Sequence, residues 1–190
     1  EIGVRLVGSE MCIETDIYVL RHLQTPYNQT GTISGRSLNL PISTASPIYH
    51  TAFFDAIFCS SALRCIQTVE LLSPSATLST IQYCDELQER DLGILEGIKK
   101  ESAIKNYPQI FSNGRFDVFA TPPKGESYDA FYQRVSRISQ RLFELPYHTV
   151  LICSHNQFLK MLYFNINQLP VTSSGWNSLD YASGVITKIY

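Results

Sequence analysis

The chain has 190 residues, a length that one domain with a sizeable core accounts for. It is 44% hydrophobic and 17% charged, with a formal net charge of −2. That balance is ordinary for a globular protein and leaves no electrostatic case for a nucleic-acid partner. Any attraction for an anion has to come from a local pocket.

The apolar run Ile17-Tyr18-Val19-Leu20 predicts a first strand over about Asp16 to Leu20. Residues before it, 1–15, read as an extension, with Met11 as a candidate native start. A long loop follows from Gln24 to Pro47, rich in Gly, Asn, Thr, Ser and Pro. Loops of that length in compact domains are often functional, and this one is expected to wrap over a pocket. Ile48 to Phe54 is left for a short helix. A second strand is predicted at Ala56–Ser60, then a helix at Leu63–Leu72 stopped by Ser73-Pro74. Thr80–Cys84 favours extended structure. Glu96–Asn106 is expected as a helix ending before Pro108, and Ile110–Lys124 as a loop over the active face. Ser127 is a plausible N-cap for a long helix to about Leu145, with Phe131, Val135, Ile138 and Leu142 as its core stripe. Thr149–Cys153 is a fourth strand, Gln157–Asn165 a helix, and Gly184–Ile189 a strand closing the sheet. Strands alternating with helices predict a three-layer α/β/α sandwich around a mostly parallel sheet, in one domain.

Cysteine stands at positions 12, 59, 65, 84 and 153, with no C-x-x-C pair. An odd count without a framework pattern predicts reduced thiols, no metal site and a cytoplasmic setting. No run reaches the ~18 apolar residues of a membrane helix, so no membrane partner is expected. The first ten residues lack a signal-peptide core. Asn28-Gln29-Thr30 is formally a glycosylation sequon, read here as chance.

Chemistry-bearing residues gather at the predicted strand ends. Arg21-His22 closes the first strand, Ser60 and Arg64 follow the second, and Ser154-His155 closes the fourth. Strand tips of an α/β sheet are where ligands bind. Arg supplies a cationic fork suited to phosphate, and neutral His supplies a nucleophilic nitrogen. Between them lies the acidic stretch Glu86-Leu87-Gln88-Glu89-Arg90-Asp91-Leu92-Gly93. Two Arg, two His and a carboxylate suit transfer of a phosphoryl group through a phosphohistidine.

In this order the pieces resemble the histidine phosphatase superfamily, on the branch with cofactor-dependent phosphoglycerate mutases and small-molecule phosphatases. The family's Arg-His-Gly, with Thr or Ser two residues later, stands here as Arg21-His22-Leu23-Gln24-Thr25, followed by Asn28. Its Ser-x-x-x-Arg-x-x-x-Thr matches Ser60, Arg64 and Thr68. Its acidic loop resembles Glu89-Arg90-Asp91-Leu92-Gly93 with Glu96-Gly97, and its Gly-Glu-Ser element matches Gly125-Glu126-Ser127. His155 matches the second catalytic His, and the resemblance runs from about Ile17 to Ile189. Two departures stand out: Leu23 replaces the Gly after the first His, and Asn156-Gln157 replaces the Gly after the second.

The resemblance implies a phosphoglycerate mutase-like fold and a set of roles. His22 is the expected nucleophile, with Arg21 and Arg64 gripping phosphate oxygens. His155 is a second phosphate ligand and catalytic His, expected as a donor, and the helix after it is expected to add backbone N–H groups. Asn28 is an expected phosphate contact. Glu89 is the candidate general acid, with Glu86 as its competitor. Glu126-Ser127 fits either a helix end or a substrate contact. His50 and His148 are assigned to surface or core.

The expected activity is that of a metal-independent phosphomonoesterase acting on a small phosphorylated metabolite, with no cofactor. A mutase that returns the phosphoryl group to another hydroxyl is one alternative. A non-catalytic phosphate-binding module on the same fold is the other. Leu23 either fills substrate space or packs beneath the loop, and the second is favoured. Neither substrate identity nor oligomeric state follows from the sequence.

Overall fold

A computed structural model describes residues 15–72 and 80–190. Met11, Cys12 and the Ser73-Pro74 stop lie outside the described residues. Thr15, assigned above to the extension, is buried at 3% exposure and its hydroxyl donates to the Tyr147 carbonyl.

The main sheet has five strands in the order β3-β2-β6-β1-β7. These are β1 (Asp16–Arg21), β2 (Ala56–Ser60), β3 (Thr80–Cys84), β6 (Thr149–Ser154) and β7 (Ile186–Lys188). The first four run parallel, and β7 is antiparallel to β1. A central parallel strand is covered on both faces and reads as a continuous apolar run; Val150-Leu151-Ile152-Cys153 is such a run, fully buried. Alternation then sorts the side chains. Ile17, Val19, Val150 and Ile152 face one core, packed with Phe131, Val135, Phe158 and Leu159. Leu20, Ile57, Cys59, Leu151 and Cys153 face the other, packed with Cys65 and Val69.

Those partners come from α4 (Tyr128–Phe143) and α5 (Asn156–Ile166) on one side and α2 (Leu63–Val69) on the other. The three-layer α/β/α expectation therefore holds. Ser127 caps α4 as expected, accepting from Ala130 N–H at 3.2 Å.

Several local expectations are corrected. Ile48–Phe54 forms no helix. Ile48 pairs with Leu72 beside the sheet, its N–H donating to the Leu71 carbonyl, while Phe54 and His50 pack on Tyr18. The Glu96–Asn106 helix shortens to α3 (Lys100–Asn106). Residues 97–100 instead pair with 31–33: Ile33 N–H donates to Ile98 O, Gly97 N–H to Ile33 O and Lys100 N–H to Gly31 O. That ladder satisfies the backbone groups a helix would have used. The expected 110–124 loop contains a short hairpin, β4 (Phe111–Ser112) and β5 (Arg115–Phe116). Two short helices were not anticipated, α1 (Pro26–Gln29) inside the long loop and α6 (Ser173–Ser178). Among the described residues no helix is long and apolar enough to cross a membrane.

Leu23 is the family departure whose fate the fold decides. It sits half-buried against the core that holds Leu20 and Cys59. Its N–H donates to Thr68 Oγ1 at 2.9 Å. Its side chain covers Gly184, whose φ is +74° and where an added Cβ would lie 2.6 Å from Leu23 Cδ2. Leu23→Gly is therefore expected to lower stability by about 2 kcal/mol, from lost burial and added backbone freedom. For a chain of this size that is roughly 4–8 °C in melting temperature. The ranking of substrates should stay the same. A variant that melts normally but accepts bulkier substrates would place Leu23 in the pocket instead.

Candidate active site

Register brings the key residues together. Arg21 pairs with Ser154 across β1 and β6, and Cys59 with Cys153 across β2 and β6. One step beyond the pairing, His22 and His155 leave adjacent strand tips with ring centroids 5.2 Å apart. Arg64 reaches in from the first turn of α2, and the acidic loop from the edge near β3. The predicted residues Arg21, His22, Asn28, Arg64, Glu89 and His155 all line one cavity of about 230 Å³.

His22 is 4% exposed, and its Nδ1 lies 2.6 Å from the Leu23 carbonyl oxygen. A carbonyl only accepts, so Nδ1 carries the proton and Nε2 keeps its lone pair. Burial, then the Arg64 charge, hold the His22 pKa down at about 3. The ring is thus neutral at physiological pH, as a nucleophile requires.

Arg64 is 1% exposed and its three nitrogens each have a protein partner. Nε donates to His155 Nδ1 at 3.2 Å, Nη1 to Leu38 O at 3.0 Å and Nη2 to Gly35 O at 2.7 Å. Two of its five N–H groups remain for a ligand. The loop carbonyls fix the guanidinium plane, and the loop is fixed in turn by Glu96, which accepts from the Arg36 and Ser37 N–H groups, the Ser37 hydroxyl and Leu92 N–H.

His155 is engaged on both ring nitrogens. Nδ1 accepts from Arg64, so Nε2 carries the proton and donates to Ser60 Oγ at 3.0 Å. Burial and the Arg64 charge hold its pKa well below the ordinary histidine value. In this arrangement His155 orients Arg64, and its proton points at Ser60 rather than being offered to a ligand.

Glu89 sits where the helix start was expected to serve phosphate. The Gln157 and Phe158 N–H groups at the start of α5 donate to its carboxylate at 3.2 and 3.1 Å, and Arg90 N–H adds a third bond at 2.9 Å. The helix N-terminus holds the acid, not the anion. Burial outweighs these donors and raises the Glu89 pKa above the usual carboxylate range. Oε1 accepts two of the bonds and Oε2 one, so Oε2 has room to carry a proton. Glu86, the competitor, is exposed, pairs with Arg141 at 3.0 Å and does not line the cavity.

Arg21 Nη1 donates to Tyr181 O at 2.8 Å, with Asp180 at 3.9 Å. Asn28 serves two ends. Its Oδ1 accepts from Thr25 N–H and Oγ1, closing the cap of α1, and its amide NH₂ remains for the cavity. Glu126 takes the helix-end option: Arg134 grips it bidentately at 2.9 and 2.8 Å and also donates to the Glu86, Gln88 and Glu89 carbonyls. Arg134 thereby holds the backbone under Glu89. Sequence reading missed it, because it looks like any polar residue of α4. His50 and His148 do not line the cavity.

Ser34, Gln157 and Lys100 also line the cavity and were not singled out for a role. Among the described residues, Arg21 Nε, Ser34 Oγ and Gln157 Oε1 are buried at the cavity without a hydrogen-bond partner. Lys100 stands exposed at the rim. Buried unpaired polar atoms are costly, and three converging on one cavity fit a site that binds a polar ligand. Among the described residues no group of three or more His, Cys, Asp or Glu could hold a metal ion.

The two neutral histidines carry a stability signature. Unfolded His titrates near 6.5, so below that pH the unfolded chain binds protons that His22 refuses in the fold. Stability contributed by His22 is present above 6.5 and lost as pH falls toward about 3. Between pH 7.5 and 5.5 wild type should lose about 1.4 kcal/mol more than His22→Ala, measured by urea unfolding. Equal losses would mean a solvated His22.

A mostly parallel sheet that gathers two histidines, two arginines and a carboxylate around one cavity is the arrangement that the resemblance to the histidine phosphatase superfamily predicts. The family model for the histidine phosphatase superfamily (branch 1) matches residues 17–190, and the chain belongs to that superfamily. It is 30% identical over 180 residues to 6-phosphofructo-2-kinase/fructose-2,6-bisphosphatase of Caenorhabditis elegans, covering 86% of this chain but 37% of that protein. It is 26% identical over 182 residues to the adenosylcobalamin/alpha-ribazole phosphatase of Escherichia coli K12, covering 86% of this chain and 89% of that one. A crystal structure of a putative alpha-ribazole-5'-P phosphatase from Escherichia coli K-12 superposes with a TM-score of 0.76 at 25% identity, covering 90% of this chain and 88% of the other.

Proposed function

We propose that the protein is a metal-independent phosphomonoesterase that hydrolyses a small phosphorylated metabolite through a phosphohistidine. The observation that carries this is the fixed tautomer of His22, whose Nε2 lone pair is free beside two arginines. In the first step Nε2 attacks phosphorus, the bond to the leaving oxygen breaks, and that oxygen takes the Glu89 proton. Arg21 and Arg64 stabilise the charge on the transferring oxygens, and the Asn28 amide adds a donor. In the second step water attacks the phosphohistidine and gives its proton to the Glu89 carboxylate. The N–P bond breaks and its electrons return to Nε2.

The test is to mix the protein with a ³²P-labelled phosphomonoester in EDTA and quench it in alkaline detergent, where phosphohistidine survives. Label should appear on the protein and then on inorganic phosphate. Turnover that vanishes in EDTA would overturn metal independence. Label passing to an added alcohol rather than to water would favour the mutase alternative.

A further inference from the structure

The cavity has a second half that the phosphoryl chemistry does not use. Leu92, Leu95, Ala103 and Ile110 form a small core of their own, separate from the two that line the sheet. Ile33, Phe111 and Phe116 pack on it only partly buried. Of these, Ile33, Leu92, Leu95, Phe111 and Phe116 line the same cavity as His22 and Glu89. Isolated exposed apolar side chains need no explanation, but a group of partly buried apolar side chains lining one cavity does.

The wall is also held rigid. The Phe111 and Phe116 rings meet edge to face at 6.0 Å and 88°. The Arg90 guanidinium lies 5.2 Å from the Phe116 ring centroid. Arg90 itself is fully buried, with each nitrogen on a carbonyl, those of Glu126, Val118 and Ala120. A surface fixed in this way loses little freedom when a ligand covers it. Among the described residues, Lys100 is the cation of this half that lines the cavity, and it is exposed at the rim, where a single charge pair contributes little.

Resting on the phosphomonoesterase reading, we propose that the cavity selects phosphomonoesters with an apolar alcohol half, an aryl-alkyl or branched alkyl group. The phosphoryl end sits among Arg21, His22 and Arg64, and the alcohol carbon skeleton lies on Ile33, Phe111 and Phe116.

The test compares kcat/KM for benzyl and cyclohexylmethyl phosphate with ethyl phosphate, phosphoserine and 3-phosphoglycerate. All five are alkyl esters, so leaving-group chemistry differs little. The apolar esters should lead ethyl phosphate by roughly 10–100-fold, equivalent to about 1.4–2.8 kcal/mol. Phe116→Ala should lower the benzyl-to-ethyl ratio by about tenfold. Should that variant fail to fold, Ile33→Thr keeps the β-branched shape and should lower the same ratio, because only the backbone of Ile33 is tied into the 97–100 ladder. Calorimetry with benzylphosphonate and ethylphosphonate, which resist hydrolysis, reads the wall without turnover. Tighter binding of benzylphosphonate with no hydrolysis of any ester would keep the wall and overturn the hydrolytic reading. Hydrolysis led by ethyl phosphate, phosphoserine or 3-phosphoglycerate would overturn the apolar preference and leave the hydrolytic reading standing.

Discussion

His22→Ala is expected to abolish turnover, with a loss of at least ~10⁴-fold on any phosphomonoester. The size follows from the reaction scheme: without Nε2 there is no covalent intermediate, and no neighbour replaces it. His155 is the nearest imidazole, but its Nδ1 lone pair faces Arg64 and its Nε2 carries a proton toward Ser60. Phosphate should still bind, since Arg21, Arg64 and Asn28 keep their own partners. The fold should survive too. The side-chain bond that is lost runs to the neighbouring Leu23 carbonyl, and the backbone of His22 stays tied to Ser154. The checks are steady-state kinetics, binding of inorganic phosphate by calorimetry and a thermal melt. Turnover within tenfold of wild type would remove His22 from the chemistry.

Glu89→Gln is expected to lower turnover by roughly 10²–10⁴-fold on alkyl phosphates, the usual worth of a general acid. The loss should shrink for p-nitrophenyl phosphate, whose leaving oxygen needs little protonation. The pH profile gives a second reading. Burial raises the Glu89 pKa, so the acid form persists above the usual carboxylate range and wild-type activity falls as pH rises through the raised value. That limb should vanish in the variant. There is a stability cost as well. The three N–H groups from Arg90, Gln157 and Phe158 all need an acceptor. A Gln side chain offers one oxygen, so at least one of these N–H groups loses its partner, at a cost of about 1–3 kcal/mol. Glu86→Gln serves as the contrast, because the Glu86 carboxylate pairs with exposed Arg141 and lies away from the cavity. Equal losses on alkyl and p-nitrophenyl esters would assign the proton to another group.

The strands of the main sheet, the helices that cover them and the residues at their tips were legible from local chemistry. Runs such as Ile17–Leu20 and Val150–Cys153 are apolar on both faces, and a strand buried on both sides has few other sequences open to it. Arg21, His22, Arg64 and His155 were legible because a parallel sheet puts the ends of its strands on one edge, whatever the loops do, and Glu89 was preferred to Glu86 through the family resemblance. What each of them touches was not legible. The α5 N–H groups serve Glu89 instead of phosphate, because Glu89 is carried to the helix start by a loop whose path Arg134 and Glu126 set. The tautomers of His22 and His155 depend on a carbonyl and a guanidinium that approach from elsewhere in the fold. Residues 96–99 do not continue into the α3 helix because the distant 31–33 segment offers them a ladder. The apolar wall joins Ile33, Leu92, Phe111 and Phe116 from three separate loops, and no periodicity links them. Sequence by itself determined the strands of the main sheet, the helices packed on it and the inventory at the strand tips, since these follow from neighbours along the chain. Only the tertiary structure decided hydrogen-bond partners, protonation states and the shape of the cavity, because those come from groups that are distant in sequence and meet only when the chain is folded.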